Sequence, residues 1–357
     1  MQQRILGLDG IRAIAVLLVY VEHQVIARFS LGALGVDLFF TLSGFLIVGI
    51  LHAQRQRIED GGTGFGPALA RFWRQRARRI FPVYYLTLAV LLPLAVAQGR
   101  GVLADGLVPW YLLLSANVYV GQSLQWGPTT HFWSLGVEQH FYLLIAPLLL
   151  WLRASLHRPA LQLLLLASLG AMLLQYLAGA PSRVIYVSSW ANFSFMAVGG
   201  LLALAGPPSE RRRSLALPAC VLATVALVLF TQTRLRWAVD PAAGRLLFNL
   251  LALVIGVALV QHVVAHPGGR LTRALESAWL RNLGVVSYGF YVFHNLIPVF
   301  PRLGPSPGWA ALSVATHFAA CLALAALSWH ALEKPLLGRR QARAPAGELG
   351  AARVQPL

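Results

Sequence analysis

Arg12 and His23 stand with ten residues between them inside a hydrophobic segment, Ile11 to Phe29, long enough to cross a membrane. Eleven helical steps of about 100° bring residue 23 to within roughly 20° of residue 12, about 16 Å further along the axis. One helix face therefore carries a permanent positive charge near one end and an imidazole deeper in. Imidazole exchanges its proton nearest neutral pH, which suits it to general acid–base work, while a guanidinium suits binding of anions. An ionised group at bilayer depth costs about 2.5–3.5 kcal/mol, so a face of this kind lines a cavity rather than touching lipid. Glu22, the sequence neighbour of His23, points about 100° away on the helix. An adjacent carboxylate would orient the imidazole, and Glu138 or Asp37 could supply it from another helix.

The rest of the chain must hold this face. It has 357 residues, 57% hydrophobic and only 11% charged, against about 25% charged in soluble proteins. That composition predicts an all-α, polytopic membrane helical bundle. Apolar runs occupy roughly 11–29, 34–51, 80–97, 132–152, 160–178, 187–205, 215–233, 245–265, 283–300 and 309–331, giving about ten transmembrane helices. The stretch Leu107 to Val118 is too short to span and contains Pro109, Ser115 and Asn117; it is expected to be re-entrant. Residues 1–335 read as the membrane-embedded domain and 336–357 as a disordered basic tail. The first apolar segment lacks a small-residue cleavage site and reads as a retained helix. Cys220 and Cys321 both sit in apolar runs, which argues against a disulfide framework.

The formal charge of +17 would suggest nucleic acid for a soluble chain, but the arginines fall between apolar segments and instead set orientation. Ten spans put both termini, the loop 52–79, Arg153, Arg158, Arg211–Arg213, Arg270, Arg273 and Arg281 on one side. That side exceeds the other in Lys and Arg by about three to one, which places both termini in the cytoplasm. His23, Asp37, Glu138 and His294 then share the outer half. No His/Cys/Glu spacing suggests a metal site, and the glycines of 61–66 lack the Lys-Ser/Thr ending of a phosphate loop.

Several blocks, in order along the chain, resemble the acyltransferase 3 family of membrane acyltransferases. They are Leu8-Asp9-Gly10-Ile11-Arg12 with His23; Gly35-Val36-Asp37-Leu38-Phe39-Phe40 followed by Leu42-Ser43-Gly44-Phe45; and Arg78-Arg79-Ile80-Phe81-Pro82. Phe132-Trp133-Ser134-Leu135 with Glu138, Ser287-Tyr288-Gly289 with Tyr291 and His294, and Glu333-Lys334-Pro335 complete the pattern. The resemblance implies transfer of an acyl group, often acetyl, from cytoplasmic acyl-CoA to a hydroxyl. It implies a carbohydrate or glycosylated acceptor in the cell envelope and the inner membrane of a bacterium. Some family members carry an extra extracytoplasmic domain. None follows the bundle in this sequence, so transfer is expected to be completed by the bundle or by a separate periplasmic partner.

On that resemblance His23 would be the base or the transient acyl acceptor, with Glu138 or Asp37 orienting it. Arg12, Arg76, Arg78 and Arg79 would hold the CoA phosphates. Trp133, Ser134, Asn117, Tyr288 and His294 would contact substrate. The roughly 16 Å from Arg12 to His23 matches a pantetheine arm. Each residue also has a plainer reading. Asp37 could cap the second helix or pair with an arginine; Ser134 could be an N-cap with Glu138 on the helix dipole; Trp133 could belong to an aromatic belt. His131, His140, His157, His262, His266 and His330 are read as interfacial, without chemistry. The rival function is a transporter or flippase without covalent chemistry, for which buried ionisable groups are also expected, though no twofold repetition of polar blocks is visible.

Overall fold

The computed structural model describes residues 5–26, 30–97, 106–127, 129–206, 208–232, 239–297 and 307–338. All regular secondary structure among these residues is helical, without a strand. In chain order the helices are α1 (Gly7–Gln24), α2 (Leu31–Glu59), α3 (Phe65–Ala97), α4 (Val108–Leu112), α5 (Ala116–Ser123), α6 (Trp133–Trp151), α7 (His157–Leu177) and α8 (Ser182–Val187). There follow α9 (Ser189–Ala203), α10 (Glu210–Gln232), α11 (Pro241–Ala265), α12 (Arg270–Leu275), α13 (Ala278–Phe293) and α14 (Pro307–Ser328), then a π-helical turn, Trp329–Glu333, and α15 (Lys334–Gly338). Local chemistry sets several starts. The Asp240 carboxylate accepts from Ala242 N and Ala243 N at 2.9 Å ahead of Pro241, capping α11. Glu22 accepts from the Gly32 backbone N–H, satisfying an orphan donor at the start of α2.

An inner group of helices surrounds α2, which packs against α1, α6, α9 and α11, while α1 also packs on α13. Where α2 crosses α9 the backbones nearly touch: a Cβ on Gly44 would overlap the Met196 carbonyl, and one on Gly199 would overlap that of Thr41. Small residues allow this approach, which a membrane bundle uses in place of a hydrophobic driving force. The peripheral helices behave differently. Leu163, Leu166, Leu174 and Leu177 on α7 and Leu222 on α10 are exposed. Leaving such side chains in water would forgo about 1.5–3 kcal/mol each, so these faces belong against hydrocarbon.

Six helices among the described residues are long and apolar enough to cross a bilayer: those beginning at Leu31, Phe65, Ala154, Glu210, Pro241 and Gly308. The four other apolar runs also fold as helices. However, α1 carries Asp9, Arg12 and Glu22, α6 carries Glu138, Gln139 and His140, and α9 and α13 have only 15 and 16 residues. Of these polar residues, Arg12 and Glu138 line the cavity described below. The stretch expected to be re-entrant folds as α4 and α5, broken at Leu114 with φ 55°. It is tethered to α3 by Tyr84 and Tyr85, whose hydroxyls donate to the Tyr111 and Leu112 carbonyls at 2.8 Å. Most of the expected loop 52–79 is helical, because α2 and α3 overrun their apolar runs. Of the expected tail, residues 339–357 lie outside the described residues.

Candidate active site

A cavity of about 220 Å³ opens between α1, α2, α3, α6 and α13. At one end it is lined by Arg12, Arg76, Arg79, Ser43, Glu138 and Tyr142, and further along by Tyr288, Ser134 and Tyr291. Arg76 and Arg79 share a face of α3 at a three-residue spacing. Arg78 lies off that face and is exposed, so of the four arginines expected together, three meet and Arg78 does not. Arg12 is buried, with Nη1 3.8 Å from the Asp9 carboxylate on the same helix. Ser43 donates to Glu138 across the α2–α6 interface. Tyr288 donates to the Ile80 carbonyl at 2.7 Å, tying α13 to α3 beside the cavity.

Beyond Tyr291 lies a second cluster. His23 Nδ1 is 2.8 Å from His294 Nε2, with the two rings nearly parallel at 4°. His294 is fully buried, and its Nδ1 is 2.6 Å from the Tyr291 carbonyl. His131 packs edge-on against His294 at 5.1 Å between ring centroids, its Nε2 3.0 Å from the Val292 carbonyl. The Tyr291 hydroxyl is 2.6 Å from Ser134 Oγ and donates to the His131 carbonyl at 2.8 Å. Tyr291 thus borders the cavity with its side chain and holds the histidines with its backbone.

This geometry departs from the expected pairing of His23 with a carboxylate. Glu138 faces the arginines, and Asp37 lies 3.6 Å from Arg245 of α11, whose guanidinium covers the rings of Tyr186 and Phe248 at 4.3 and 4.6 Å. The helical repeat is the reason: Asp37 and Ser43 are six steps apart on α2, about 120° around it, so when Ser43 faces the cavity Asp37 faces α11. Of the two plainer readings of Asp37, pairing with an arginine is the one seen. Ser134 does not cap α6; its hydroxyl reaches the His131 carbonyl at 3.2 Å and Tyr291.

Two of the residues expected to contact substrate lie outside the cavity lining and pack between helices. Asn117 donates to Ser189 Oγ at 2.9 Å and to the Val187 carbonyl at 3.4 Å, joining α5 to the α8–α9 corner. Trp133 is buried, edge-on to Phe40 and 4.6 Å from the Tyr186 ring, which also removes it from an aromatic belt. The sequence reading missed His131, Arg245 and the joining role of Tyr291. The available signal for His131 was its position directly before the Phe132-Trp133-Ser134 block; for Arg245, a lone charge opening an apolar run.

The sequence profile of the acyltransferase 3 family, described as an acyltransferase domain, matches residues 5–329. The chain belongs to this family. Its cavity, its arginines and its histidine pair all lie within the matched residues. Peptidoglycan O-acetyltransferase OatA of Listeria monocytogenes is 29% identical over 359 residues, covering 92% of this chain and 55% of that protein. YrhL of Bacillus subtilis is 30% identical over 364 residues, covering 92% of this chain and 54% of YrhL. O-acetyltransferase OatA of Staphylococcus aureus is 28% identical over 314 residues, covering 82% and 50%. The chain therefore spans about half the length of the curated relatives it matches. No solved structure matches this acyltransferase-family chain.

Proposed function

We propose that this protein is a membrane O-acyltransferase that moves an acyl group, in the first instance acetyl, from acyl-CoA to a hydroxyl of a cell-envelope glycan. The observation that carries the reading is one cavity lined by Arg12, Arg76 and Arg79 together with Ser134 and Tyr291, whose backbone carbonyl holds His294, the partner of His23. Three guanidiniums suit the phosphates of CoA, which they can hold by charge-assisted hydrogen bonds. The roughly 16 Å along α1 from Arg12 to His23 lets a pantetheine arm carry the thioester towards the imidazole. Glycan acceptors are favoured because the Listeria monocytogenes relative is named a peptidoglycan O-acetyltransferase.

In the reaction we assign, His23 removes the proton of the acceptor hydroxyl as its oxygen attacks the thioester carbonyl. The carbon–sulfur bond breaks, and the CoA thiolate takes that proton back from His23. Glu138 lines the cavity together with the arginines, where its negative charge offsets their mutual repulsion, so its role is in shaping the donor site. The arginine bias supports about ten spans in a bacterial cytoplasmic membrane, with both termini and the arginine end in the cytoplasm. The acceptor then meets the acyl group at the outer face, with or without a separate periplasmic partner.

The test compares esters on surface glycans from cells carrying wild-type protein, His23→Ala or no protein, by intact mass and NMR. An ester present only with wild type is expected. Its absence in all three, with the protein confirmed in the membrane and no acyl-CoA turned over after purification, would return the chain to the transporter reading.

A further inference from the structure

We propose that His294 is the positioning residue for His23, fixing the tautomer in which Nε2 of His23 carries the reactive lone pair. The inference rests on the reading of His23 as the base, and it follows from which atoms can donate. The Tyr291 carbonyl only accepts, so His294 Nδ1, 2.6 Å away, carries its proton. Neutral His294 therefore presents its lone pair at Nε2. His23 Nδ1 lies 2.8 Å from that atom and must be the donor. That leaves the second His23 nitrogen, Nε2, as the base, and it has no partner among the described residues. Free imidazole side chains prefer the opposite tautomer, so the surroundings have to impose this one.

The surroundings are built to do so. His294 is fully buried. Its backbone N–H donates to the Phe290 carbonyl at 3.0 Å, and Gln24 Nε2 donates to the His294 carbonyl at 3.1 Å. The last turn of α1 is thereby pinned to the last turn of α13. His131 packs against the ring while its own Nε2 is held by Val292, which limits rotation of the pair. An imidazole suits this place better than a carboxylate. It accepts the His23 Nδ1–H bond without adding a buried negative charge, which would be costly with no cation beside it. Both candidate carboxylates, Glu138 and Asp37, are already set against arginines.

During transfer the proton balance is simple. His23 Nε2 takes the hydroxyl proton and later returns it to the thiolate, while His294 keeps its Nδ1 proton throughout. The His23 Nδ1–H bond to His294 becomes charge-assisted, and stronger, only while His23 is cationic.

Purified wild-type protein with ¹⁵N-labelled histidine, and the same sample of His23→Ala to assign the His23 signals, reads the tautomer directly. Protonation at Nδ1 of His23 is expected; protonation at Nε2 overturns the proposal without any variant having to fold at position 294. Kinetics give a second, independent reading. His294→Phe is expected to lower kcat about 10²-fold, with the KM for acetyl-CoA changed less than about threefold. His294→Gln, whose side-chain carbonyl can still accept from His23, should recover at least tenfold of that loss. A raised KM with unchanged kcat, or equal loss in both variants with retained CoA binding, contradicts the proposal. Full activity of His23→Ala would instead remove the base assignment itself, a different outcome from an inactive His23→Ala beside an unaffected His294→Phe.

Discussion

The two ends of the inner bundle use opposite physics. At the arginine end, charges face a cavity with few fixed partners: Arg12 approaches Asp9 only to 3.8 Å, and Arg76 Nε has no hydrogen-bond partner among the described residues. At the histidine end the rings are held by short contacts: His294 meets the Tyr291 carbonyl at 2.6 Å and His23 at 2.8 Å, and His131 meets the Val292 carbonyl at 3.0 Å. On the proposed function, loose charge would serve recognition of an anion whose phosphates bring their own acceptors, and fixed geometry would serve proton transfer, where a misplaced lone pair removes the rate advantage. One helix, α1, carries a residue of each kind, so its two ends are coupled by length alone.

The largest effect that sharpens this division is expected from His23→Ala. Transfer should fall by about 10²–10⁴-fold in a coupled thiol-release assay, while CoA affinity stays within about threefold. Loss of CoA affinity instead would merge the two ends into one binding site. Next in size is the buried Asp37–Arg245 pair on the other face of α2. Asp37→Ala should destabilise the protein by about 3–5 kcal/mol by leaving Arg245 uncompensated, seen as a lower melting temperature in detergent. Combining Asp37→Leu with Arg245→Leu should restore most of it. An Asp37→Asn variant that is stable but inactive would extend the chemistry across α2 and redraw the boundary.

Arg76→Ala should raise the KM for acetyl-CoA by about 10- to 100-fold, the worth of a charged hydrogen bond of roughly 1.5–3 kcal/mol, with kcat little changed. Arg78→Ala, exposed and off the cavity face, should stay within about twofold on both constants. If Arg78→Ala matches Arg76→Ala, the arginines act through bulk charge rather than through the face they share. The smallest change is expected from Asn117→Ala: a loss of about 1 kcal/mol of stability with unchanged KM, because the side chain joins α5 to α8–α9.

The matched face of Arg12 and His23 was legible from spacing, because a single unbroken helix fixes the angle between them. The apolar runs likewise located all the long helices, though not which of them are long and apolar enough to span. The partners of the polar residues were not legible. Which face of α2 meets the cavity depends on the close α2–α9 crossing at Gly44 and Gly199, and that choice sends Ser43 to Glu138 and Asp37 to Arg245. His294 stood out only as one more intramembrane histidine. Its partner, His23, lies 271 residues away in sequence, and no local pattern reports such a contact. Arg78 was grouped with Arg76 and Arg79 because proximity in sequence ignores the 100° between successive side chains.

The most direct test of the division is CoA binding, by calorimetry on detergent-purified protein, for wild type, His23→Ala and the Arg76→Ala/Arg79→Ala double variant. Wild type and His23→Ala should bind alike, and the double arginine variant at least tenfold more weakly. Absence of CoA binding by folded wild-type protein, or equal binding by all three, would contradict the assignment of the arginine end to the acyl donor.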